Sequence, residues 1–383
     1  NVDPNNPVIN TRSFGDDPHD VARYVAAFVR GVQSEGGLAT AKHFPGHGDT
    51  HVDSHRALPV LDVSRERLES FELVPFRAAI DAGVGSVMIG HLAVPAIDDT
   101  PAPVRAEFEN VYGTARDEVP RHAAIPATVS SKAILDLLRR DLGFDGLVIT
   151  DSFDMGGLAA HFDPGEAAVR AIEAGNDQIL FSADTDAAIA AVKTAVRTGR
   201  LSEGRIDESV RRILRAKAAA GRRALSRPEA GAPRIAEQAI TLVRDTQKLI
   251  PLNGNVTAVI VTDLPEPNPL VDAVRALETE HIHTIDSTTT AVDVDGDRLV
   301  LLLAIRAKSG MGRIAVPPAA QRLAARHARK TIAISFGSPW IVRELGDVST
   351  YVCAYGIQPV LQVAAIRAIR GEFEMRGQLP VTL

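Results

Sequence analysis

The chain has 383 residues, of which 45% are hydrophobic and 23% charged, as in an ordinary globular protein, and this length predicts two domains. The sequence contains no apolar run near the roughly 18 to 20 residues that a membrane helix needs, so no membrane span is expected. The net charge of −6, without a basic stripe, argues against a nucleic-acid partner.

The single cysteine, Cys353, excludes an internal disulfide. Because it lies in an apolar run, we predict a small core residue. The chain begins at Asn1 without a methionine and no signal peptide is visible, so the sequence leaves the compartment open between cytoplasm and export, and the oligomeric state unknown.

The first half of the chain alternates short apolar segments with helical patterns. A polar loop is predicted over residues 1–16. Helices are predicted over 17–32, 64–82, 131–141, 165–174, 186–198 and 203–219. A short apolar segment at 38–41 and predicted strands at 86–89, 127–129, 147–150 and 178–181 give about five strand positions. This alternation predicts βαβ units and a parallel sheet, with polar residues at the carboxyl ends of the strands.

Residues 221–234 are basic, small and contain two prolines, so they are predicted to form a linker. A second α/β pattern follows it and predicts a doubly wound domain. Its predicted strands are 258–262, 299–304, 331–335 and 351–354, and its predicted helices are 235–243, 269–277, 318–327, 339–345 and 360–370. No GxGxxG or Walker motif is present, so nucleotide binding has little support.

Residues 42–55 hold four of the eleven histidines of the chain, together with a lysine and two aspartates. The histidines recur at every fourth position, which on a helix would form one face and suggest a metal site. Pro45, Gly46 and Gly48 argue against a helix, so we predict a loop. A zinc hydrolase stays an alternative, but the chain has neither HExxH nor CxxC.

Three sets of residues are candidates for chemistry. Asp53 lies two residues before His55 and can orient its ring, which would make a general acid/base pair or, alternatively, a loop held by side-chain hydrogen bonds. Asp151 ends a predicted buried strand and is a candidate nucleophile, base or metal ligand, with Asp154 competing and helix capping as the structural alternative. Arg12, in a polar loop, is either a solvated side chain or a clamp for ligand hydroxyls.

These motifs resemble glycoside hydrolase family 3, in its β-N-acetylhexosaminidase (NagZ-like) branch. The resemblance rests on KHFPGHGDT at residues 42–50 with DSH at 53–55, on RSFG at 12–15, and on GFDGLVITD at 143–151. It covers most of residues 1–225, and the closing GQLPVTL at 377–383 is similar to the second domain of the family.

The resemblance implies a partial TIM-type β/α barrel over residues 1–220, the linker at 221–234 and an αβα sandwich over 235–383. It implies retaining hydrolysis of terminal β-linked N-acetylglucosamine on cell-wall-type glycans or muropeptides. Asp151 would be the nucleophile, His55 with Asp53 the acid/base dyad, and Arg12, Lys42 and His43 the sugar ligands. No metal or organic cofactor is implied.

The barrel of the family is longer at its amino end than the segment before the linker, so we expect the first barrel strands, with an early substrate-binding aspartate, to be absent from residues 1–220. Three alternatives stay open. They are an N-acetylglucosaminide phosphorylase, a non-catalytic sugar-binding or scaffold protein, and a β-glucosidase. The predicted Asp53–His55 dyad argues against the β-glucosidase.

Overall fold

A computed structural model describes residues 2–110, 112–220, 231–263, 269–307 and 315–383. The described residues form two compact units, 2–220 and 231–383. No helix in these ranges is long and apolar enough to cross a membrane.

The first unit contains a sheet of four parallel strands in the order β1-β2-β3-β4. The strands are β1 (Thr40–Phe44), β2 (Ser86–Ile89), β3 (Leu147–Ser152) and β4 (Gln178–Leu180). The helices are α1 (Pro18–Ser34), α2 (Val74–Asp81), α3 (Gly156–Ala159), α4 (Pro164–Ala174), α5 (Thr185–Arg197) and α6 (Glu203–Ala219). Strands in sequential order with helices between them form part of a β/α barrel, as the family resemblance implied.

Local sequence explains where these helices begin. Asp17 caps α1 by accepting from the amides of His19 and Asp20, and Pro18 occupies the first turn, where no donor is lost. Asp163 caps α4 in the same way, before Pro164. The core between helices and sheet is apolar and includes Phe44, whose ring meets that of Phe76 edge to face.

Several predicted elements of the first unit were wrong in type or extent. Residues 127–129 form a 3₁₀ turn rather than a strand, because Pro126 cannot donate to a ladder and the amide of Val129 closes back on its carbonyl at 2.9 Å. The described sheet therefore has four strands, not five. The predicted loop 42–55 begins inside β1, which includes Lys42–Phe44. The predicted helix 64–82 is divided by a π turn over Leu68–Glu72, and Lys132–Asp141 forms a π-helix.

The second unit is a six-stranded sheet in the order β5-β10-β9-β8-β6-β7. Its strands are β5 (Thr241–Asp245), β6 (Val256–Thr262), β7 (Ile282–Ile285), β8 (Arg298–Ala304), β9 (Thr331–Ser335) and β10 (Thr350–Cys353). Its helices are α7 (Gly231–Ala239), α8 (Val271–Leu277), α9 (Pro318–Arg326) and α10 (Pro359–Ile369). All pairings are parallel except that of β5 with β10.

Both faces of this second sheet are buried. Along β8, Val300 and Leu302 enter one apolar core, whereas Leu299 and Leu301 enter the core on the opposite face. This explains the continuous apolar strand sequences and confirms the predicted doubly wound class. Cys353 is buried in the second of these cores, and burial raises the pKa of its thiol to about 12.

Two predicted helices of the second unit were wrong in extent or type. The predicted helix 235–243 ends at residue 239, because the β-branched residues Thr241 and Val243 pair in β5 against β10. The predicted linker 221–234 lies mostly outside the described residues, and its last four residues begin α7. A further helix, predicted at 339–345, is a 3₁₀ turn over Pro339–Glu344.

A buried aspartate ties together the end of the four-stranded sheet where the strands begin. Asp177, whose side chain is fully buried, accepts from Arg139 at 2.8 Å, from Arg212 at 3.1 Å and from Ser209 at 2.9 Å. It also accepts from the amide of Val148 at 3.0 Å, so one carboxylate joins the π-helix, β3 and α6. Removing one partner of a buried charge network leaves the other charges uncompensated.

We therefore expect Asp177→Ala to lower the free energy of unfolding by about 3–5 kcal/mol in urea denaturation followed by circular dichroism. Asp207→Ala, on α6, removes an exposed pair with Arg211 at 3.5 Å and is the matched control, with little expected change. Equal stability of the two variants would contradict this account of the network.

Candidate active site

Asp151 lies near the carboxyl end of β3, and its side chain is 13% exposed. One carboxylate oxygen, Oδ1, accepts from the amide of Ser152 at 2.9 Å. The other oxygen, Oδ2, lies 3.7 Å from Nε2 of His43. Asp154, the competing candidate, accepts from the hydroxyl of Ser152 at 2.6 Å. Asp151 is therefore held through one oxygen, while the second faces the histidine at the end of β1.

Asp53 and His55 form the dyad that the sequence predicted. Nδ1 of His55 lies 2.7 Å from Oδ1 of Asp53, and the same oxygen accepts the amide of His55 at 2.9 Å. The amides of Arg56 and Ala57 bond back to the carbonyl of Asp53, which closes a tight turn. Because the carboxylate accepts from Nδ1–H, it fixes the tautomer and the orientation of the ring.

The dyad is docked directly on the segment that follows Asp151. The amide of Gly156 donates to the carbonyl of His55 at 2.8 Å, and that of Gly157 donates to the carbonyl of Ser54 at 3.1 Å. A Cβ at Gly156 would lie 1.9 Å from the carbonyl oxygen of Arg56. Gly156 is thus required for this close approach of backbones, whereas a Cβ at Gly157 would make a tight contact of 3.0 Å with the carbonyl oxygen of Ser54.

The three predicted sugar ligands line one cavity. Arg12, Lys42 and His43 contribute to the wall of a cavity of about 330 Å³, which also includes His47 and Glu72. Asp151 is not among the described wall residues of this cavity. Its carboxylate lies 3.7 Å from the ring of His43, which is one of them. The structure therefore brings Arg12, Lys42 and His43 together and places His43 between them and Asp151.

Burial and neighbouring charges lower the pKa values of both Lys42 and His43. The pKa of Lys42 is lowered by partial burial and by the positive charge of Arg12, against the opposing effect of Asp151. The pKa of His43 is held well below its usual value, first by burial and then by His47 and Lys42, so the ring is neutral. Its Nδ1 is buried without a hydrogen-bond partner among the described residues.

His47 joins the two ends of the histidine-rich loop and is not available to a metal. Its Nδ1 lies 2.8 Å from the hydroxyl of Thr50 and its Nε2 2.9 Å from that of Ser54, so both nitrogens are engaged. His51, by contrast, has a side chain that is 68% exposed. The described residues contain no group of three or more histidine, cysteine, aspartate or glutamate side chains that could hold a metal.

His91 is a buried histidine at the centre of the site that the sequence analysis did not select. Its Nε2–H donates to the carbonyl of Ser152 at 2.9 Å, and its Nδ1 lies 2.7 Å from the hydroxyl of Thr128. Burial lowers its pKa, consistent with a neutral ring that accepts from Thr128. Its position directly after Gly90, at the end of β2, was the signal that could have identified it.

Asn6 is a second residue that sequence reasoning missed. Its side chain is fully buried and donates to the carbonyls of His47 at 2.7 Å and Gly48 at 3.1 Å. Its oxygen accepts the amides of Val8 and Ile9. Asn6 therefore attaches the segment that leads to Arg12 to the histidine-rich loop. No local sequence pattern predicts this long-range contact.

The environment of His47 predicts a pH-dependent stability. Burial lowers its pKa to about 4, whereas a solvated histidine titrates near pH 6.5. Between these values the unfolded chain binds the proton and the folded chain does not, so stability is complete above about pH 6.5 and is lost progressively as the pH falls from there to about 4. We expect His47 to account for about 3 kcal/mol of this loss.

The measurement is the free energy of unfolding in urea at several pH values between 7 and 4. His47→Gln should flatten the slope, and His51→Gln, at an exposed position of the same loop, should retain it. An unchanged slope in His47→Gln would contradict the assignment.

Comparison with known proteins adds four findings. A family model described as the glycosyl hydrolase family 3 N-terminal domain matches residues 1–216. A β-N-acetylglucosaminidase/β-glucosidase of Cellulomonas fimi is 32% identical, over 98% of this chain and 71% of its own length. β-Hexosaminidase A of Pseudoalteromonas piscicida is 28% identical, over 100% of this chain and 72% of its own length.

Among solved structures, a family 3 β-N-acetylglucosaminidase from Paenibacillus sp. FPU-7 superposes with a TM-score of 0.80 at 32% identity. The match covers 99% of this chain and 74% of that one. The family model spans more than half of the chain, and the relative from Cellulomonas fimi matches nearly all of it. The chain therefore belongs to glycoside hydrolase family 3 and is a glycoside hydrolase.

Proposed function

We propose that the protein is a retaining β-N-acetylglucosaminidase that removes terminal β-linked N-acetylglucosamine from cell-wall-type glycans. The observation that carries the proposal is the Asp53–His55 dyad, bonded at 2.7 Å and docked on the segment that follows Asp151. The choice of N-acetylglucosamine is supported by the names of the relatives from Cellulomonas and Paenibacillus. No cofactor is required for this chemistry.

In the first step a carboxylate oxygen of Asp151 attacks the anomeric carbon of the terminal sugar. As that bond forms, the bond from the anomeric carbon to the leaving oxygen breaks, and protonated His55 gives its proton to that oxygen. The Asp53 carboxylate holds Nδ1, so Nε2 is the nitrogen that delivers the proton. The product is a glycosyl ester on Asp151.

In the second step neutral His55 takes a proton from water, and the resulting nucleophile attacks the anomeric carbon. The ester bond to Asp151 breaks, the carboxylate is restored and His55 is again protonated. Two inversions give net retention of the β configuration. A histidine in this position adds no negative charge beside Asp151, because its two forms are neutral and cationic.

The remaining residues serve binding in this proposal. Arg12 and Lys42 are hydrogen-bond donors only, suited to sugar hydroxyls and the acetamido oxygen. His43 is neutral and can both donate and accept, and its ring faces Asp151 Oδ2 at 3.7 Å, so it can orient the nucleophile and contact the sugar.

The roles of Asp151 and His55 are tested by substitution with a nitrophenyl N-acetyl-β-glucosaminide as substrate. Asp151→Ala should lower kcat/KM by more than about 10³-fold, and His55→Ala should lower kcat by about 10²–10⁴-fold. Asp99→Ala, at a side chain that is 87% exposed, is the carboxylate control and should retain full activity.

Added azide separates the two roles. In Asp151→Ala it would attack in place of the missing carboxylate and give the α-glycosyl azide by one inversion. In His55→Ala it would attack the glycosyl ester and give the β-azide by two inversions. A β-azide from Asp151→Ala, or full activity of that variant, would contradict the nucleophile assignment. Formation of sugar 1-phosphate when phosphate is added would favour a phosphorylase instead.

A further inference from the structure

The segment between β2 and the π-helix is long and irregular, and it lies against the acid/base turn. Residues 90–126 contain one 3₁₀ turn, Arg116–Glu118, and only isolated bridges among their described members. Long connections without regular structure in a compact domain commonly form binding walls over a site. This segment contributes Tyr112, whose ring centroid lies 4.9 Å from that of His55, edge to face.

Several bonds fix Tyr112 at this place. Arg56, the residue after His55, binds the Glu118 carboxylate with two nitrogens, at 2.8 and 2.5 Å, and its Nη1 donates to the carbonyl of Tyr112 at 3.4 Å. The hydroxyl of Thr114 donates to the carbonyl of Arg56 at 2.6 Å. The side chain of Asn110 bonds Thr114 at 2.7 Å and accepts the amide of Tyr112 at 3.1 Å. The backbone of Tyr112 is thus attached to the turn that carries Asp53 and His55.

The electrostatic surroundings of the phenol agree with this position. The pKa of Tyr112 is raised, first by burial and then by the negative charges of Asp154, Asp53 and Asp151.

In the proposed reaction, a side chain beside His55 lies next to the space for the leaving group. The nucleophile and the leaving group occupy opposite faces of the anomeric carbon, and the general acid must touch the leaving oxygen. A side chain in contact with His55, in a wall fastened to the dyad, borders the space into which the leaving group extends. An aromatic ring offers a flat apolar surface that sugar C–H groups can pack against, with a hydroxyl at its rim.

We propose that Tyr112 is a specificity-determining residue that forms the wall of the leaving-group subsite and packs against the pyranose ring of the aglycone. This inference rests on the proposed glycosidase function and extends it, since it identifies the preferred leaving group as a sugar ring. The Asn110, Thr114, Arg56 and Glu118 bonds position the wall.

Three substrates with the same N-acetyl-β-glucosaminyl group test the proposal. The β-1,4-linked N-acetylglucosamine disaccharide has a leaving sugar ring and needs acid catalysis. The methyl glycoside needs acid catalysis but has no ring, and the glycosyl fluoride has no ring and leaves without a proton. We expect Tyr112→Ala to lower kcat/KM for the disaccharide about tenfold, as for the loss of one aromatic contact. The values for the methyl glycoside and the fluoride should stay unchanged.

Two further variants sharpen the test. Tyr112→Phe keeps the flat ring and should retain kcat/KM for the disaccharide within about twofold. Tyr24→Ala removes a tyrosine of α1 that is 52% exposed and should leave all three substrates unaffected.

Other outcomes would overturn the inference in distinguishable ways. An equal fall for the disaccharide and the methyl glycoside, with the fluoride unchanged, would mean that Tyr112 supports the dyad and not the aglycone. An equal fall for all three would indicate a structural role, and no change for the disaccharide would exclude the contact. Inactivity of the unsubstituted protein on all three substrates would instead contradict the glycosidase function on which the inference rests.

Discussion

Two backbone hydrogen bonds decide whether this site exists, because they bring together segments about a hundred residues apart in sequence. The amides of Gly156 and Gly157 donate to the carbonyls of His55 and Ser54, and there is no room for a side chain between these backbones. Asp151 is fixed by its strand, so this docking sets where the histidine stands relative to the carboxylate. The position of the proposed acid/base relative to the proposed nucleophile depends on it.

The histidines of the site differ in burial and in hydrogen-bond partners, although the sequence alone does not distinguish them. Burial lowers the pKa of His43, His47 and His91, so these rings are neutral near pH 7 and act through hydrogen bonds and packing. Only His55 in this group has a carboxylate on Nδ1, at 2.7 Å, which fixes the ring tautomer and reserves Nε2 for the proposed proton transfer.

Most of the architecture was predictable because helical and strand periods are local signals. Sheet positions such as β2, the doubly wound second half and the dyad followed from residue pattern and family resemblance. The 3₁₀ turn at 127–129 was not predictable, because a short apolar run has the same sequence pattern in a strand and in a buried turn. The roles of Asn6 and Tyr112 were not predictable either, because each depends on contacts with residues more than forty positions away.

The most direct test of the account is to identify the residue that carries the sugar. A 5-fluoro derivative of N-acetyl-β-glucosaminyl fluoride keeps the acetamido group, slows both chemical steps and has a leaving group that forms the ester readily, so the glycosyl-enzyme should accumulate. After proteolysis and mass spectrometry, the account predicts one fluorosugar on the peptide that contains Asp151, and on that residue. A label on any other residue, or turnover without a covalent adduct, would contradict it.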